Sequence, residues 1–278
     1  MIHILYCGND KVFDGVFTSA LSAVRRMKRV RPLCVHIFTM TLTRKNPNYT
    51  PMTQAHARCI ENALKKHNPD AQVRLYDVTE LYEMHLGENV NEDCYCSPYT
   101  LLRLLADLVD MPDKFLYLDA DVLICKDVSL LFDIDVEGVE YAAARDYYGK
   151  FLVHPDYINA GVLLFNMKKC RETGIYLKAR EILRTKKVPF ADQSALIRAT
   201  TSRKMISQRF NDQKFLHKDT VVRHFSKRLF WLPYPHTENI KQWQVDKVHE
   251  RFRYHEFDDI FNEYLALKAK FTVGEWEA

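Results

Sequence analysis

The chain of 278 residues is poor in the residues that break regular structure, with Gly 8 and Pro 10. Disordered and collagen-like architectures need far more of both, so they drop out. No uninterrupted apolar run approaches the length of a membrane span. The opening residues, Met1-Ile-His-Ile-Leu-Tyr-Cys7, lack the basic segment and long apolar stretch of a secretory leader. Cysteine is present 7 times, an odd count at irregular spacing. This argues for reduced thiols and a cytoplasmic setting rather than a disulfide framework. Cys94-Tyr-Cys96 has no matching Cys/His pair, so it reads as loop or core and not as a zinc site. A net charge of +4 suits an anionic substrate or membrane surface but calls for no nucleic acid. What remains is an ordinary globular balance, 47% hydrophobic and 27% charged, enough for one large α/β domain or two small ones.

Apolar, β-branched runs over 2–7, 33–40, 72–78, 114–118, 139–145 and 160–165 read as strands. Helical spacing over 13–29, 51–67, 97–110, 167–184 and 191–199 falls between them. This alternation predicts an α/β fold with a mostly parallel central sheet flanked by helices. In such sheets ligands bind beyond the carboxyl ends of the strands. From about residue 231 the character shifts to aromatics, prolines and charged amphipathic segments, read as a C-terminal helical appendage over 232–278 on a catalytic domain of 1–231.

The sharpest motif is Phe115-Leu-Tyr-Leu-Asp119-Ala120-Asp121-Val-Leu-Ile. Two carboxylates two residues apart at the end of a buried strand suit a hard divalent cation, Mn²⁺ or Mg²⁺, able to bridge a diphosphate. The first strand exits through Cys7-Gly8-Asn9-Asp10-Lys11, where Gly8 lets a ligand approach the backbone and Asn9 can address a base edge. In Tyr157-Ile-Asn159-Ala160-Gly161, the Asn159 amide can bond sugar hydroxyls and Gly161 leaves room for a ring. In Ala191-Asp192-Gln193, Asp192 is a candidate helix N-cap and Gln193 a first-turn residue able to face a cleft. His224, in Val222-Arg-His224-Phe-Ser-Lys227-Arg228, can join two carboxylates on a metal, with Lys227 and Arg228 available to phosphate oxygens. Arg103 is a cation in an apolar helical run, suited to an anion, and Asp146 follows a strand.

In this order the motifs resemble glycosyltransferase family 8, over 2–231. That family includes bacterial lipopolysaccharide galactosyl- and glucosyltransferases and glycogenin. The resemblance implies a GT-A fold, Mn²⁺ dependence, and retaining transfer of glucose or galactose from a UDP-hexose to a saccharide or lipid-linked acceptor. It implies Asp119, Asp121 and His224 as metal ligands and the 7–11 turn as the seat of uracil and ribose. Arg103 and Asp146 would contact phosphate or sugar. Asn159, Ala160, Gly161, Asp192 and Gln193 would line the sugar pocket, with Gln193, or Asp192 as a nucleophile, beside the anomeric carbon. The family's Asp-Asp-Asn-Tyr after the first strand is Asn9-Asp10-Lys11-Val12 here, so Phe13 becomes the candidate for the ring stacked on the base. The family's tail, His-Tyr-x-Gly-x-x-Lys-Pro-Trp, is matched by His224-Phe-Ser-Lys-Arg-Leu-Phe-Trp231, leaving Lys227 and Arg228 as rival phosphate holders. Two other readings compete: a nucleotide-sugar-binding module without turnover, and a haloacid dehalogenase-type phosphohydrolase using Asp119. The latter lacks a later Gly-Asp-x-x-x-Asp. Peripheral membrane contact through the C-terminal segment and homo-oligomerisation are both compatible with the chain.

Overall fold

A computed structural model describes residues 1–93 and 97–274, so Cys94-Tyr-Cys96 lies outside the described residues. A seven-stranded sheet organises the chain. Its strands are β1 (Ile2–Cys7), β2 (Leu33–Thr39), β3 (Gln72–Asp77), β4 (Lys114–Leu118), β6 (Tyr141–Arg145), β7 (Ile158–Asn166) and β8 (Arg203–Ile206). A short β5 (Val122–Ile124) follows β4 and pairs with β9 (Val222–His224) outside the main sheet. The order is β3-β2-β1-β4-β7-β6-β8. Pairing is parallel from β3 through β4 and between β6 and β8, and antiparallel on both sides of β7. The fold is therefore α/β with a mostly parallel sheet, as its alternating segments predict.

Alternation along each strand sends side chains to two cores. Ile4 and Tyr6 face one, with helix Phe13–Arg25 and helix Gln54–Lys65. Leu5 and Cys7 face the other, with Pro98–Leu108, Ile175–Thr185 and Ala191–Ala199. Cys7, Cys34, Cys59, Cys125 and Cys170 are all free.

Two helical readings need correction. Residues 97–110 contain a 3₁₀ helix, Pro98–Leu108, in which the Thr100 carbonyl accepts from Arg103 Nε at 2.9 Å. The stretch 167–184 is two helices, Met167–Thr173 and Ile175–Thr185, because Gly174 adopts φ 66° and ends the first.

From residue 228 the chain forms a hairpin of β10 (Arg228–Phe230) and β11 (His236–Glu238), then helix Asp258–Thr272. That helix lies against Phe13–Arg25, with Tyr264 edge-on to Phe17 at 5.7 Å and Arg25 and Arg26 paired to Asp259. Its Ile260, Phe261 and Tyr264 are buried in the same core as β1. Among the described residues no helix is long and apolar enough to cross a membrane.

Candidate active site

The turn Asp119-Ala-Asp121 joins β4 to β5 where β4 meets its antiparallel neighbour. Asp119 N–H donates to the Gly161 carbonyl at 2.8 Å, tying the first aspartate to β7. The β5–β9 register places Val122 opposite His224, so the imidazole arrives beside the turn. His224 Nε2 lies 3.1 Å from Asp121 Oδ1 and 3.8 Å from Asp119 Oδ2. The three side chains form a group with ligand atoms within 4.8 Å of one another.

The donor set fits a divalent cation. Nδ1 of His224 lies 3.0 Å from Asn211 Oδ1, an acceptor for the Nδ1 proton, so Nε2, on the side of the carboxylates, is the nitrogen available to a cation. Asp119 Oδ1 accepts from Tyr117 Oη at 2.7 Å and from Arg103 Nη2 at 3.1 Å, leaving Oδ2 on the His224 side. Lys241 Nζ contacts Asp121 Oδ2. Burial raises the Asp121 pKa, but Lys241 and His224 outweigh it and hold the carboxyl ionised far below its ordinary range.

Gly161 has a different reason from the expected one. A Cβ there would stand 2.3 Å from His224 Cε1 and 2.7 Å from Asp119 Oδ2. The glycine makes room for the ligand side chains themselves rather than for a sugar ring. At Gly8 a Cβ would meet Val12 Cγ2 at 2.2 Å, so that glycine lets the turn close on itself.

Two cavities lie by the cluster: Asp119 and Asp121 line the first, and Asn159 of the second is linked to His224 through Asn211. One, about 320 Å³, is lined by Cys7, Gly8, Asn9, Asp119, Asp121 and Lys241, with Ala120 and Trp243 also at its wall. The other, about 360 Å³, is lined by Asp146, Asn159, Gln193, Gln213, Lys227 and Arg228. Asn159 donates to Asp146 Oδ2 at 2.9 Å and accepts from Asn211 Nδ2 at 2.9 Å. Gln193 Oε1 accepts from Ala160 N–H at 3.0 Å.

Several sequence-picked residues take other places. Phe13 is buried among Phe17, His56 and Phe271, so its ring is turned into the core and away from the first cavity. Lys11 is exposed, with its ammonium 5.6 Å from the Tyr49 ring. Asp192 is no N-cap: Phe190 occupies that position, with φ 54°. Asp192 instead lies buried, 3.2 Å from Arg103 Nε and 3.0 Å from Thr100 Oγ1. Burial raises its pKa against the opposing pull of Arg103. Arg103 is itself buried, its guanidinium 3.8 Å from the Tyr117 ring centre and bonded to the Ala160 carbonyl. It braces the site from behind rather than facing a cavity. Lys227 and Arg228 line the second cavity, whereas the cation that reaches Asp121 from the first is Lys241.

Two residues of the site escaped the sequence reading. Asn211 links His224 to Asn159 and carries no local signal. Lys241 does carry one: Lys241-Gln-Trp243 preserves the Lys-x-Trp of the expected tail, displaced by the β10–β11 hairpin.

This fold recurs among solved glycosyltransferases. The apo bifunctional glycosyltransferase WbbM superposes with a TM-score of 0.66 at 18% identity, covering 95% of this chain and 49% of that one. The galactosyltransferase LgtC, solved with donor and acceptor sugar analogues, superposes with a TM-score of 0.63 at 17% identity, covering 95% and 96%. Residues 3–229 match the description of Glycosyl transferase family 8, and the chain belongs to that family. Among curated relatives, the glycosyltransferase GlyA of Streptococcus pneumoniae is 37% identical over 109 residues, 37% of this chain and 16% of GlyA. GlyF of the same organism is 30% identical over 120 residues, 42% of this chain and 28% of GlyF. The chain thus matches well under half the length of these relatives.

Proposed function

We propose that this protein transfers a hexosyl unit from a UDP-hexose, with retention, to a saccharide or lipid-linked hydroxyl, and that it needs Mn²⁺ or a similar divalent ion. The observation carrying this reading is the Asp119–Asp121–His224 cluster beside two cavities, with a lysine at its edge. Asp119, Asp121 and His224 would hold the cation, which when bound supplies positive charge to the departing diphosphate. Lys241 serves the same oxygens from the first cavity, and we assign it the phosphate role for which Lys227 and Arg228 were the sequence candidates. The Cys7–Asn9 turn borders the nucleoside side. Asn159, Asp146 and Gln193 border the sugar. Gln193 Oε1, held by Ala160 N–H, keeps a second lone pair for the oxocarbenium-like state. Asp192 is engaged by Arg103 and Thr100, which favours a same-face route in which the leaving phosphate oxygen takes the acceptor proton.

UDP release from UDP-glucose and UDP-galactose, with and without Mn²⁺, tests the reading. The expected result is metal-dependent turnover that Asp121→Asn lowers by at least about 100-fold, as when a transition-state charge partner is removed. UDP-sugar binding with no turnover under any acceptor would replace this reading with a binding module. Metal-dependent phosphate release from simple phosphoesters would favour the phosphohydrolase. We place the 232–278 segment within the working unit, because Lys241 comes from it.

A further inference from the structure

The second cavity opens beneath a lip of side chains that a folded surface ordinarily hides. On one side, Phe151, Leu152 and Val153 are 75%, 81% and 57% exposed. On the other, the β10–β11 hairpin starts at the cavity wall with Lys227 and Arg228 and carries Trp231, Leu232 and Tyr234 at its tip. These three are 69%, 81% and 66% exposed. Leu152 and Val153 line the same cavity as Arg228, so the segment carrying one apolar group and the base of the hairpin carrying the other meet at one opening.

The charge around this opening has one dominant sign. Lys150 sits 5.0 Å from the Phe151 ring, Lys214 4.7 Å from the Tyr147 ring, and Arg228 5.3 Å from the Phe230 ring. Each rests on aromatic faces rather than on a carboxylate. Of the nearby acids, Asp156 is paired with Arg145 and Glu238 with Arg251, while Asp146, held by Asn159 and the Gly149 and Tyr148 N–H groups, leaves one carboxylate in the cavity against Lys150, Lys214 and Arg228. Exposed Trp, Tyr and Leu set among cations form the pattern of a surface that enters the headgroup layer of an anionic bilayer. Apolar groups insert while lysine and arginine meet lipid phosphates.

We infer that this lip seats the protein on an anionic lipid bilayer with the second cavity turned toward the headgroups. An acceptor hydroxyl would then arrive on a lipid held in that layer. The inference rests on the proposed function only in taking the second cavity, which borders the transferred sugar, as the side from which the acceptor hydroxyl arrives; bilayer binding itself requires no turnover.

Co-sedimentation of the full chain with phosphatidylcholine vesicles, with and without phosphatidylglycerol, tests it. The protein is expected to sediment with the mixed vesicles and to stay in solution with phosphatidylcholine alone. Trp231→Ala/Leu232→Asp at the hairpin tip, and separately Phe151→Asp on the other segment, should each weaken binding by about tenfold, the scale of losing one or two inserted side chains. Leu177→Asp, at an exposed leucine on helix Ile175–Thr185 outside the lip, should bind as the parent does. Circular dichroism of each variant separates lost binding from lost folding. Failure to sediment, equal sedimentation with both vesicle types, unaltered binding by both lip variants, or equal loss in Leu177→Asp would each overturn the inference. Vesicle binding without UDP-sugar turnover would remove the proposed function and leave this inference standing; turnover without vesicle binding would do the reverse.

Discussion

Gly161 and Asn211 show how little side-chain space the cluster has to spare. Any β-carbon at 161 enters the van der Waals radius of both His224 and Asp119, so the ligands must separate. Asn211 is fully buried and holds the imidazole by the nitrogen that faces away from the aspartates. Gly161→Ala and Asn211→Ala are each expected to weaken Mn²⁺ binding by about 10- to 100-fold, the usual cost of disturbing a metal ligand's support. Isothermal titration with MnCl₂ on folded variants is the check, and parent-like affinity in both would refute the assignment. The aspartates were legible in the sequence from strand-end position and residue type, whereas His224 was singled out through the resemblance to the family's ordered motifs. Asn211 was not, since its role depends on Asn159 and His224 approaching from two other segments. Phe13 misled for a similar reason. An aromatic beside the expected base turn looks available, but the helix it begins points it at Phe17 and Phe271.

Elements were readable in proportion to how strongly local pattern governed them. The boundaries of β1, β4 and helix Ala191–Ala199 follow directly from apolar runs and flanking turns. Helix Thr79–Leu86, β8 and the hairpin were missed, being short and held mainly by neighbours. Neighbouring strands β1, β2 and β3 also carry a chain of contacts: His3 Nδ1 lies 3.1 Å from His36 Nε2, and His36 Nδ1 lies 3.1 Å from Tyr76 Oη. Burial first, then the His3 and Arg74 charges, lowers the His36 pKa from 6.5 to about 4. The neutral ring is thus what the fold requires. Its contribution is complete above pH 6.5 and is lost as pH falls from there toward about 4. That loss amounts to up to about 3 kcal/mol. Urea unfolding from pH 7.5 down to about 4.5 should therefore be flatter for His36→Gln than for the parent; parallel curves would contradict this. For the C-terminal helix, Phe261 is fully buried against the core shared with β1. Phe261→Ala is expected to cost about 3–5 kcal/mol in the same measurement; a loss below about 1 kcal/mol would mean that the helix is only loosely docked.

At the scale of the whole molecule, the sheet and its cavities form a single frame on which distant segments converge. A cation that binds the folded cluster and not the unfolded chain raises stability by mass action, about 2.7 kcal/mol at a concentration 100 times its dissociation constant. Thermal unfolding should shift upward with MnCl₂ and return with EDTA in the parent. Asp121→Asn should show neither change, and an equal shift in that variant would place the ion elsewhere.

The cation beside Asp121 comes from 120 positions further along the chain. A chain still emerging from the ribosome therefore holds the two aspartates long before it holds His224 or Lys241. Any fragment ending before that lysine keeps Asp119 and Asp121 but lacks the ammonium that contacts Asp121. If the proposed function holds, competence to act on the donor is tied to completion of nearly the entire domain.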